Sequence, residues 1–219
     1  MASSSIEDYL KNIFHLQAEK KSVNTGTLAS ALNVSPASVS EMVSKLSRSG
    51  YIKNIPYKGF TLTSAGEKIA VSLIRKHRLI EVFLLERLNS SWEDVHGEAE
   101  KFEHVCSDMF INRLDKFLGF PRKDPHGDPI PDKSGNMKPV NTKQLAKAEM
   151  GKNYVISSVN DTSTEVLKYI SSIGIKLKTK IKLLEKLSFD NSLLVKVGNK
   201  DRLLSSKIAE SISVTELRN

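Results

Sequence analysis

The sequence predicts a mainly α-helical protein with a smaller β component, and three observations carry that prediction. Apolar residues recur at helical spacing before Gly119, prolines then cluster, and short runs rich in Val, Ile, Leu, Lys and Ser follow. Five of the seven prolines, Pro121, Pro125, Pro129, Pro131 and Pro139, fall between Gly119 and Asn141 with Gly127 and Gly135, which is the composition of a linker. At 219 residues the chain has room for one or two domains, and a sizeable core.

Taking the elements in order, Ile6, Tyr9, Leu10, Ile13, Phe14 and Leu16 form one face of a first helix. A second helix starts at Thr25 or Thr27, turns Leu28, Ala29 and Leu32 inward and ends at Asn33. Ser35 and Pro36 read as N-cap and first residue of a third, whose buried stripe is Val39, Met42, Val43 and Leu46. Residues 51–55 and 60–63 then form a hairpin around Pro56, Tyr57, Lys58 and Gly59. Ser64 with Glu67 resembles a capping box opening a long helix through Leu88, and Ser90 with Glu93 another, opening a helix through about Leu118. Beyond the prolines, residues 154–159, 180–184 and 193–197 read as strands and 163–171 as a short helix, compatible with a small barrel.

Three helices and a hairpin are the order of a winged helix. The buried stripe leaves Ser38, Ser40, Glu41, Lys45 and Arg48 near the outer face of the third helix, where short polar groups can approach base edges and cations can meet phosphates. Lys53 and Lys58 place the hairpin beside the same backbone. Taken singly these are ordinary solvated residues; their ordered combination is what points to double-stranded DNA.

Charge sharpens the division. The net formal charge of +8 suits an anionic partner, and it divides into +4 over residues 1–75, −2 over 76–140 and +6 over 141–219. The acidic middle holds His77, His96, His104 and His126, four of the five histidines, and imidazole with carboxylate suits a divalent metal. His77 and Glu81 are four apart, and His96, Glu100 and His104 are spaced four and four, with Glu103 one turn from Glu100. Asp8 on the first helix could close such a site. The lone cysteine, Cys106, excludes an intrachain disulfide or a multi-cysteine site, and reads as a packed thiol. No apolar run approaches a membrane span, and Glu7 and Asp8 occupy the start where a secretion signal needs apolar residues, so a cytoplasmic protein is expected.

These residues resemble a known family. Glu7-Asp8-Tyr9-Leu10, Val34-Ser35-Pro36-Ala37-Ser38-Val39-Ser40-Glu41-Met42, Arg75-Lys76-His77-Arg78-Leu79-Ile80-Glu81, Glu103-His104, Leu114-Asp115-Lys116-Phe117-Leu118-Gly119-Phe120-Pro121 and Pro125-His126-Gly127 are similar to the diphtheria toxin repressor and manganese transport regulator family, in particular its long manganese-responsive members. The resemblance covers nearly the whole chain. It implies a metal-activated homodimeric repressor with a winged-helix DNA-binding domain (1–64), a helical dimerisation and metal-binding domain (65–140, with a Pro-rich linker from 121) and an SH3-like domain (141–219). It implies no small-molecule substrate and no membrane partner.

By matching position the resemblance makes Asp8, Glu100, Glu103 and His104 the primary metal site. It draws the second site from His77, Glu81, His96, Asp124, His126 and Asp161, while the reading of the third helix and hairpin expects DNA contact at Ser35, Pro36, Ala37, Ser38, Ser40, Glu41, Lys45, Arg48 and Lys58. Glu100 stands where the iron-responsive branch has a cysteine, so the oxygen-rich site favours manganese, with iron, zinc and cobalt as the other candidates. Lys11 stands where short manganese regulators have a carboxylate, and Asp124 replaces a cysteine of some long members. Two rival readings remain: a metal-dependent hydrolase, since Glu100-Lys101-Phe102-Glu103-His104 approaches the zinc-protease order H-x-x-E-H, and a winged-helix regulator sensing a non-metal ligand.

Overall fold

The computed structural model describes residues 3–18, 23–55, 57–138, 140–160 and 163–217. Pro56, Pro139 and Asp161, expected in the hairpin turn, the linker and the second metal site, lie outside these residues. The chain divides into two units. The first comprises Met1–His77, Glu100–Arg113 and Pro131–Met137; the second comprises Arg78–Ala99, Leu114–Ile130 and Lys138–Asn219.

In the first unit, α1 (Ser4–Ala18), α2 (Thr25–Leu32) and α3 (Pro36–Arg48) precede the antiparallel strands β1 (Ile52–Ile55) and β2 (Gly59–Leu62), which pair from Ile52 with Leu62 to Ile55 with Gly59. Ile6, Leu10 and Ile13 of α1 pack into one core with Leu28, Val39, Leu46, Ile52 and Phe60. Each such side chain contributes about 1.5–3 kcal/mol by leaving water. The predicted stripe on α3 is buried at Val39 and Leu46 and only partly so at Met42 and Val43. Ser35 caps α3 through the Ser38 N–H, with Pro36 at the first turn as expected.

The second helix begins at Thr25, one of the two starts the sequence offered, while the cap of the long helix and the extent of the next one differ from expectation. The cap of α2 is Asn24, whose side chain accepts the Thr27 N–H while the Thr27 hydroxyl accepts the Asn24 N–H, a reciprocal box with Thr in the usual Glu place. The long helix α4 (Ser64–Leu88) is capped by Thr63, whose Oγ1 accepts the Gly66 N–H at 3.2 Å, and not by Ser64. The single helix expected through Leu118 is two, α5 (Val95–Phe102) and α6 (Asp108–Phe117). The N–H groups of Val105 and Cys106 both close on the Phe102 carbonyl, ending α5, and Ser107 starts α6 by accepting the Phe110 N–H on its hydroxyl. That break releases Glu103 and His104 from the helical face assumed for them.

The second unit carries a six-stranded antiparallel sheet in the order β3-β8-β4-β5-β6-β7. Its strands are β3 (Lys143–Gln144), β4 (Asn153–Val159), β5 (Lys180–Lys186), β6 (Leu193–Val197), β7 (Lys200–Leu204) and β8 (Ile212–Glu216), with α7 (Thr164–Ser172) and α8 (Ser206–Ser211) between them. Tyr154, Ile156, Leu183, Val195, Leu204 and Val214 pack with Leu167 and Ile170 of α7. This is the SH3-like, β-rich domain. The register shifts at Ile156/Ser158 and Leu183/Glu185 are bulges, which add the local twist that a small curved sheet requires.

Candidate metal centre and nucleic-acid interface

Within the first unit, α1 brings acidic side chains against the segment that follows α5. His104 Nε2 lies 3.1 Å from Asp8 Oδ1 and 3.5 Å from Glu103 Oε1, and His104 Nδ1 donates to Glu7 Oε2 at 2.7 Å. Asp8, Glu103 and His104 each offer a donor atom, all within 4.8 Å of one another. Glu103 is fully buried: His77 Nδ1 donates to its Oε2 at 2.5 Å and Lys11 Nζ to its Oε1 at 2.6 Å. Glu100 is not part of that trio. It stands at the rim, its side chain 54 % exposed and its Oε1 4.0 Å from Lys11 Nζ.

Burial lifts the Asp8 carboxyl above its ordinary value, against a partial lowering by His104 and Lys11. Burial acts the same way on Glu103, but the hydrogen bond and charge of His77, with Lys11, more than reverse it and hold that carboxyl below the usual range. Glu7 is a partner of His104 that helical spacing did not single out. By accepting from Nδ1 it orients the ring so that Nε2 faces Asp8 and Glu103. Its sequence signals were its place beside Asp8 and in the Glu7-Asp8-Tyr9-Leu10 run.

Within the second unit, Glu81 of α4, Asp124 and His126 also offer donors within 4.8 Å of one another, all three buried. His126 Nε2 donates to the Trp92 carbonyl at 3.0 Å, which leaves Nδ1 facing Glu81 Oε1 at 3.7 Å, and His96 Nδ1 lies 3.4 Å from the same oxygen. Asp124 Oδ1 accepts the N–H groups of His126 and Asp128, both at 2.9 Å, while Oδ2 meets Arg78 Nε at 3.3 Å. Pro125 and Pro129 thus flank a hydrogen-bonded turn. Gly127 follows at φ +95°, and a Cβ there would overlap the Ser157 carbonyl.

The helical-face argument from the sequence therefore separates into two places. His96 meets Glu81 in the second unit and His104 meets Asp8 in the first, because His104 lies beyond the end of α5. His77, expected among the second-site residues, is bonded to Glu103 in the first unit and stands one turn before Glu81 on α4.

Both clusters consist of carboxylate oxygens and imidazole nitrogens, a donor set that fits a hard or borderline divalent cation. Cys106 is in neither, and burial pushes its thiol up, away from the thiolate that a soft-metal site needs. On the reader helix, Ser35, Pro36, Ala37, Ser38, Ser40, Glu41, Lys45 and Arg48 are all exposed, as is Lys58 on the hairpin. Ser40 Oγ donates back to the Pro36 carbonyl and the Ser35 and Ser38 hydroxyls bond each other, so some hydroxyls are occupied within the helix.

A winged helix whose first helix shares a carboxylate and histidine cluster with a helical domain defines a metal-responsive DNA-binding regulator. The comparisons agree. Residues 1–60 match the iron dependent repressor N-terminal DNA binding domain, 63–132 the iron dependent repressor metal binding and dimerisation domain, and 143–216 the FeoA domain. The transcriptional regulator MntR of Oceanobacillus iheyensis is 36 % identical over 124 residues, covering 57 % of this chain and 84 % of the relative. The iron-dependent repressor IdeR of Mycobacterium tuberculosis is 37 % identical over 125 residues, 57 % of this chain and 54 % of that repressor, so the match spans about half its length. A solved manganese-dependent transcriptional repressor in complex with manganese superposes with a TM-score of 0.92 at 35 % identity, over 97 % of this chain and all of that one. The chain belongs to the iron-dependent repressor family, as a metal-dependent transcriptional repressor of the DtxR/MntR type. Its relatives are transcriptional regulators and not hydrolases. Among the described residues no helix is long and apolar enough to cross a membrane.

Proposed function

We propose that this chain is a manganese-activated homodimeric repressor that binds operator DNA of metal-uptake genes, with Asp8, Glu103 and His104, and Glu100 at their rim, as the primary regulatory site. The carrying observation is the orientation of His104, whose Nδ1 proton is held by Glu7 while Nε2 faces Asp8 and Glu103. Asp8 belongs to the helix that packs on α2 and the reader core, and Glu103 and His104 belong to the segment after α5. When bound, a divalent ion supplies the positive charge that lets these carboxylates face each other. Asp8 then ties α1 to that segment, and the position of the reader helix becomes linked to metal occupancy. Glu81, Asp124 and His126, with His96 beside them, form the second site.

The reader residues Ser35, Pro36, Ala37, Ser38, Ser40, Glu41, Lys45 and Arg48 face the major groove, and Lys58 the backbone. The second copy docks on the segment of the first unit where Phe102, Val105, Met109 and Phe110 are exposed. Manganese ranks first because the site offers oxygen and imidazole without thiolate. Fluorescence anisotropy on labelled promoter DNA, across manganese, iron, zinc and cobalt with chelator as control, tests the reading. Metal-dependent tightening supports it, and equal affinity after complete demetallation overturns it.

A further inference from the structure

The primary cluster contains a cation of its own. Lys11 follows Asp8 by three residues on α1, so one face of the helix delivers both an acidic group and an ammonium to the same place. Its Nζ lies 2.6 Å from Glu103 Oε1 and 4.0 Å from Glu100 Oε1, on a side chain only 12 % exposed. Glu103 Oε1 is also the atom 3.5 Å from His104 Nε2, and so faces the space that a shared ion would take. The other oxygen of Glu103 is engaged by His77. An ion drawing on Glu103 must therefore share or take Oε1 from a tethered positive charge.

We infer that Lys11 sets the metal-response threshold of this repressor by competing, as a built-in cation, with the divalent ion for the Glu103 carboxylate. The inference rests on the proposed primary site. Like charges a few ångströms apart in a partly buried setting repel, so the ammonium lowers affinity for any divalent ion while keeping α1 joined to Glu103 when none is bound. It acts on affinity through charge, and only weakly through shape.

The test uses the full-length chain with manganese chloride alone as probe, titrated in competition with a fluorescent chelator, so that the readout is metal affinity and not DNA binding. Lys11→Gln and Lys11→Met, both neutral, are expected to bind manganese about tenfold more tightly than the unsubstituted chain, with Lys11→Arg within about twofold of it. Unchanged or weaker binding by the neutral variants overturns the inference. His104→Ala separates this from the underlying reading. Loss of one manganese equivalent in that variant, with the second site still filling, upholds the cluster, whereas an undiminished stoichiometry removes the cluster itself, whatever the Lys11 variants do.

Discussion

His104 Nε2 stands 3.1 Å from Asp8 Oδ1, a contact that joins the first helix of the reader to a segment almost a hundred residues later. Asp8→Ala removes one side of that junction and leaves the apolar patch at Met109 untouched. The variant should lose manganese-dependent operator affinity, by about 5- to 150-fold as for a typical coupling of about 1–3 kcal/mol, while sedimenting as the same dimer. Full retention of metal dependence in an anisotropy titration would remove Asp8 from the site.

Acid should act through Glu103. Its carboxyl is held below the ordinary range, burial being outweighed by His77 and Lys11. A group whose folded pKa is depressed contributes stability that is fully present above its unfolded value, about 4.3, and is lost as pH falls through the folded value. Urea midpoints of the metal-free protein should therefore fall as pH drops below about 4.3, and Glu103→Gln should flatten that fall. An identical acid slope in the variant refutes this assignment.

Gly127 sits at φ +95° with the Ser157 carbonyl where a side chain would begin. Gly127→Ala should cost about 1–3 kcal/mol in chemical denaturation and displace His126, one residue before it, from the turn that Asp124 organises. A variant as stable as its parent would show that the turn tolerates a Cβ.

Electrostatic attraction between the reader and the DNA backbone predicts a salt signature. Lys45→Ala or Arg48→Ala should weaken operator and unrelated DNA alike, and lower the slope of log affinity against log salt by about 1 for each phosphate that the protein no longer neutralises. If either substitution left that slope unchanged, the residue would not touch the backbone.

The proposed dimer face carries a separate expectation. Val105 is 77 % exposed and Met109 64 %, and Met109→Glu would set a charge in that patch. Analytical ultracentrifugation should then show dissociation toward monomer. A dimer of unaltered affinity would place the interface elsewhere.

What the sequence determined by itself is local. Ser35-Pro36 opens α3 because a side-chain oxygen and a fixed φ satisfy the first helical turn without help from elsewhere, and the apolar spacing of α1 and α3 names their inner faces. The donor types were legible too, since Asp8, Glu103 and His104 carry their chemistry wherever they stand. Periodicity alone could not show that the helix breaks after Phe102, because the two closing hydrogen bonds on the Phe102 carbonyl leave no mark in composition. Tertiary structure decided the partners: His77 with Glu103, Glu7 behind His104, His96 with Glu81, and Lys11 on the acidic node. Pairings between residues so distant along the chain are set by how packed helices present their side chains, and helical spacing describes only neighbours one or two turns apart.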